Sequence, residues 1–176
     1  MKSFVIICFV IICFVVFIGC SSTNYPPLEV VDEVDIERYI GKWYEIARLP
    51  NRFQEDCYRA TAEYDIINSE TISVINSCME ESIDGEIEMA EGKAFVVEGT
   101  NNAKLKVQFF WPFKGDYWII DLDKENYTYA VVGSPSRKYF WILARTTKLN
   151  DQVYKEIIQR AENKGFNLST LIVEDY

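Results

Sequence analysis

Between Trp43 and Thr146 the chain offers eight strand-like segments in a row, with nothing helical between them. The clearest is "CYRATAEYDI". Tyr58, Ala60, Ala62, Tyr64 and Ile66 alternate there with Cys57, Arg59, Thr61, Glu63 and Asp65. Period two means a strand with one apolar and one polar face. Asn68-Ser69 makes the next turn, and Pro112 and Gly115 punctuate a later one. Parallel neighbours need long crossovers, and none is available, so the strands run antiparallel in chain order. A sandwich or an up-and-down barrel can be built this way. Hairpin-linked order favours the barrel, whose closure removes exposed edges. The expected fold is all-β, an eight-stranded antiparallel up-and-down β-barrel.

The flanks fit that frame. Asp35 caps one helical turn to Ile40, and Gly41 breaks it before the first strand, Trp43 to Leu49. After the last strand Asn150 caps a helix that Gly165 stops. Val153, Ile157 and Ala161, with Tyr154 and Ile158, give it an apolar face to lay on the outer wall. "STLIVED" offers one more short strand.

A barrel of this size holds packed side chains or one small ligand. Candidate lining residues are Tyr64, Val74, Phe95, Val107, Phe109, Trp118, Ile120, Tyr129, Val131 and Phe140. The plainer reading is that most of them fill the core. In the later strands both faces are apolar, and Trp118-Ile120 against Tyr117-Ile119 leaves the inward parity open. Apolar outer faces on "DYWIIDLD" and "YFWILA" call for cover, by the helix or by a second subunit. Arg52, Arg59, Lys93 and Lys114 are candidate cations for the mouth.

Composition excludes several functions. Without histidine no Ser-His or Cys-His nucleophile and no His-ligated metal site can be assembled. Catalysis by carboxylates alone stays open, but these absences argue against an enzyme, and neither a metal nor a cofactor is expected. A net charge of −9 with no basic patch argues against nucleic acid.

The N-terminus reads as a signal. Met1-Lys2-Ser3 precedes an apolar run from Phe4 to Ile18, short for a membrane span. The run resembles a bacterial lipoprotein signal: Gly19 stands before Cys20, which such signals acylate. Phe17 stands where Leu is usual. Residues 1–19 would be the signal, 20–33 a lipidated tether carrying Pro26-Pro27, and 34–176 the barrel domain. The resemblance implies anchoring at Cys20, and Ser21 implies sorting to the outer membrane.

The folded part resembles the lipocalin family. "GKWYEIARLP" places Gly41, Trp43 and Tyr44 at the start of the first strand, as the family's Gly-x-Trp signature does. "DLDKENYTYAVVG" stands at its second signature, without the usual Thr-Asp-Tyr, and "WILARTTKL" supplies the arginine of the third, Arg145. Stretches such as "LKVQFFWPFKGDYWIIDLD" and "NKGFNLSTLI" are similar to the bacterial outer-membrane, apolipoprotein D-like subgroup. The resemblance implies that Arg145 covers Trp43 at the closed end. It implies small apolar ligands in the barrel, fatty acids or lysophospholipids, a role in envelope maintenance, and a homodimer as an option. A filled structural barrel and a lipocalin-type enzyme are the alternatives.

Cys57 and Cys78 remain after processing. They lie on the second and third strands at similar distances from the Asn68-Ser69 turn, and an oxidising compartment favours a disulfide. Their parities differ, so a bulge or fraying ends must bring them together. Two free thiols are the alternative.

Overall fold

The computed structural model describes residues 25–176. The proposed signal and Cys20 lie outside the described residues. The short helix α1 (Ile36–Tyr39) is followed by β1 (Gly41–Arg48), β2 (Cys57–Asn68), β3 (Thr71–Glu80), β4 (Ile87–Val96) and β5 (Lys104–Gln108). Next come β6 (Gly115–Leu122), β7 (Tyr129–Gly133), β8 (Phe140–Ala144), the helix α2 (Asp151–Asn163) and the short β9 (Ile172–Val173). Each of β1 to β8 pairs antiparallel with its neighbour in the chain, and β1 also pairs with β8. The eight strands therefore close into an up-and-down barrel, and β9 adds to the far edge of β1.

Antiparallel order sorts the connections into two ends. The loops 49–56, 81–86, 109–114 and 134–139 surround one end, the mouth. The loops 69–70, 97–103 and 123–128 lie at the other, which α1 crosses. Asp35 caps α1 through Arg38 N, and Asn150 caps α2 through Gln152 N and Val153 N.

Two apolar layers result. The inner one holds Trp43, Ala62, Tyr64, Ile72, Val74, Ala94, Leu105, Tyr117, Ile119, Ala130, Val132 and Leu143. The outer one lies between the wall and α2, and brings Ile120, Val131, Phe140 and Ile142 against Ile157, Ala161 and Phe166. The apolar outer faces of β6 and β8 are thus covered by α2. Of the tether expected over 20–33, residues 25–33 lie along the barrel. Leu28 is buried in the outer layer, Val31 N donates to Ile119 O at 3.0 Å, and Val34 N donates to Asn101 O at 2.9 Å.

Candidate functional site: the barrel interior

Trp43 and Arg145 seal the closed end. The Arg145 guanidinium stands 3.8 Å above the Trp43 ring. Its Nη2 donates to the carbonyls of Arg38, Tyr39 and Ile40, and its Nη1 donates to Lys42 O. A cation over an indole contributes about 0.5–2 kcal/mol. Trp43 Nε1 donates to Tyr39 O at 2.7 Å. Gly41 has φ +84, the left-handed conformation that lets the chain turn from α1 into β1.

Above this plug lies a tyrosine triad. Tyr39 and Tyr64 each share a 2.8 Å hydrogen bond with Tyr117 through their hydroxyls. Two bonds among three hydroxyls use two of the three O–H hydrogens, so one donor is left over. Burial raises the pKa of all three, that of Tyr64 to about 12, and they stay neutral.

Higher on β1 the interior turns polar. Glu45 lies opposite Leu143 and so faces inward; a bulge at Ile46 then brings Arg48 inward beside Trp141. Arg48 Nη1 donates to Glu45 Oε1 at 2.9 Å and also to Glu174. Its Nη2 donates to Gln54 O and Cys57 O. The remaining Nε–H is buried and has no partner among the described residues. Gln54 folds in from the β1–β2 loop, donating to Glu45 Oε2 and accepting from Trp141 Nε1. Burial raises the Glu45 pKa against the pull of Arg48 and Gln54, and Glu174 adds to the rise.

The opposite wall is open. Asn76 pairs with Ala62 and with Ala90, so both point inward, yet both are exposed to solvent. Below them Val74 and Ala94 are buried. A Cβ at Gly92 would stand 2.8 Å from the Phe109 ring, so only glycine leaves that ring its place. The interior is therefore filled at the floor and accessible near the mouth.

Of the residues expected to line the cavity, Tyr64 and Val74 belong to the inner layer, and Val107 and Phe109 pack against it. Trp118, Tyr129 and Phe140 lie in the outer layer with α2, as do Ile120 and Val131. Phe95 pairs with Lys106 on the outward face, and Lys114 Nζ lies 3.7 Å from its ring. These placements correct the inward parity expected at Phe95 in β4 and decide that of the later strands, where the sequence leaves it open, turning Trp118, Ile120, Tyr129, Val131 and Phe140 outward. Tyr117, Ile119, Ala130, Val132 and Trp141 are the inward residues there. Among the candidate cations, Lys93 shares the outward face with Phe95, and Arg59 Nε donates to Asp175 O. Arg52 lies over Phe53 in the β1–β2 loop. Period two from Trp43 points Glu45 inward, but it cannot find Arg48 because the bulge flips the parity between them.

Cys57 and Cys78 form a disulfide with Cα atoms 5.6 Å apart. Cys57 pairs with Glu80 and Thr61 with Ser77, so Arg59 and Ala60 together oppose Cys78 alone. That bulge, with Arg59 at φ +52, resolves the parity conflict.

Comparison with known proteins agrees with this architecture. The lipocalin-like domain family matches residues 34–175. This chain is a lipocalin. The outer membrane lipoprotein Blc of Vibrio cholerae is 41% identical over 142 residues, covering 81% of this lipocalin and 82% of the relative. The protein of the same name from Escherichia coli K12 is 40% identical over 156 residues, covering 88% and 87%. Insecticyanin from Manduca sexta superposes with a TM-score of 0.69 at 23% identity over 86% of each chain, a likeness of fold. Lipocalins in general bind small hydrophobic ligands.

Proposed function

We propose that this lipocalin is an envelope lipoprotein, held at the outer membrane through an acylated Cys20 and facing the periplasm. It takes up single-chain lipids, fatty acids or lysophospholipids, in the upper half of its barrel. One observation carries the reading: inward-facing Asn76 and Ala90 are solvent-exposed while the floor below them is closed. An acyl chain entering there meets Val107, Phe109 and Trp141. All three pack against the inner layer. The names of the two Blc relatives support the location.

Carriage needs no cofactor. The interior tyrosines are neutral, and the only cysteines among the described residues are joined in the disulfide. Titration with a fluorescent fatty acid tests the reading. Ala90→Trp, on the open inward wall, should weaken binding tenfold or more, while outward Phe95→Ala leaves it unchanged. No saturable binding below about 100 μM would refute lipid carriage.

A further inference from the structure

We propose that the mouth of this lipocalin docks face-down on a zwitterionic lipid surface, through an apolar rim centred on Phe110, Trp111 and Phe113. These three aromatics share one loop, β5–β6, and are 74%, 86% and 77% exposed. Phe53 from the β1–β2 loop and Ile87 and Met89 at the start of β4 stand in water beside the same opening, each more than 60% exposed. Large apolar groups gathered at one end of a monomer mark a contact surface. Trp and Phe are the side chains that settle at the headgroup level of a bilayer.

The path of the chain identifies the occupant. The fourth loop of the rim, β7–β8, carries Arg137. Its Nη2 donates to Pro26 O at 2.7 Å, its Nε donates to Lys164 O at 3.0 Å, and its guanidinium lies 5.2 Å from the Tyr25 ring. The N-terminal segment is therefore clasped at the mouth. From Tyr25 it descends the wall, fastened by Leu28, Val31 and Val34, to the closed end. Cys20 lies five residues before Tyr25. Fully extended, five residues reach about 18 Å. An anchor at Cys20 thus holds the mouth, not the closed end, against the bilayer. Presenting the closed end would require peeling residues 25–34 from the wall.

Charge narrows the lipid class. The four mouth loops carry Glu55, Asp56, Glu81, Asp84 and Glu86 against Arg52, Lys114, Arg137 and Lys138, so the rim is close to neutral. Without a basic excess the rim gains no attraction to an anionic surface, and its exposed aromatics suit a zwitterionic one. Facing the bilayer, the cavity exchanges a lipid without exposing its chain to water.

This orientation rests on the anchor at Cys20, and the experiment separates the two. The full acylated chain is reconstituted in phosphatidylcholine vesicles, with or without bromine on the acyl chains, and floated on a density gradient. Bromine should quench part of the tryptophan emission, and Trp111→Tyr should abolish that part while the protein still floats. Phe110→Ser with Phe113→Ser, keeping Trp111, should cut the quenching at least twofold. Floating protein whose quenching is absent, or equal in Trp111→Tyr, overturns the docking. A dimer in which a second copy shields Trp111 from bromine also overturns it. Protein that does not float refutes the anchor, and the docking with it.

Discussion

Single residues decide the character of the interior. Glu45 and Arg48 face inward within four positions of each other because a bulge at Ile46 reverses the alternation between them. Burial raises the Glu45 pKa above its ordinary value, and Glu174, the second carboxylate on the Arg48 guanidinium, adds to the rise. A carboxyl whose pKa is raised by folding binds its proton more tightly in the native state. Its contribution is fully present below the unfolded value, near 4.5, and is lost as pH climbs through the folded one. Glu45→Gln keeps an acceptor for Arg48 and leaves Glu174 as its counter-charge. Thermal melts of the two proteins should therefore diverge in favour of Glu45→Gln as pH rises from about 4.5 toward neutrality. Parallel curves over that range would mean that Glu45 is not held protonated by its burial.

At the scale of elements, β9 repairs a gap. β1 pairs with β2 only from Gly41 to Tyr44, and beyond that its edge is taken by β9. Glu174 N donates to Ile46 O, and Glu174 Oε2 accepts from Arg59 N in the bulge at 2.6 Å. The Tyr176 hydroxyl shares its single hydrogen between Glu45 O and Ala60 O, one carbonyl on each side of the seam. Buried backbone groups without partners are costly, so this strand satisfies what the diverging β1 and β2 leave open. Glu174→Ala with Tyr176→Phe should speed amide exchange at Ile46 to Arg48 and at Arg59 by tenfold or more. Exchange in β6 and β7 should not change. The existence of such a strand is readable from "STLIVED"; its position is not, because nothing in the tail's own pattern says which strand will run short of a neighbour.

On the scale of the whole molecule, closure and the mouth are separate properties. Arg145, just beyond β8, covers Trp43 in β1, and the distance from the mouth keeps this pair away from the open wall. Arg145→Met should destabilise the barrel by about 2 kcal/mol, from the lost cation–π contact and the carbonyls left without their donor. A protein of this size then melts roughly 4–8 °C lower, with affinity for a fluorescent fatty acid unchanged within twofold. A large loss of affinity at unchanged Tm would instead place Arg145 at the ligand.

The number of barrel strands, their antiparallel order and the outer helix were legible in the sequence, and the closed-end plug followed from the family resemblance. The first three depend on local alternation and capping, the plug on the signatures at Gly41-x-Trp43 and Arg145. Which face of β6, β7 and β8 looks inward was not. Tyr117 and Trp118, Ile119 and Ile120, Ala130 and Val131 are all apolar because both faces of those strands are buried, one by the barrel and one by α2. Alternation marks a boundary with water, and there it has none to mark. The inward set, the polar cluster around Arg48 and the clasp at Arg137 exist only once distant segments meet. For that reason the tertiary structure alone decided where a ligand can enter and which end of the barrel the N-terminus leaves from.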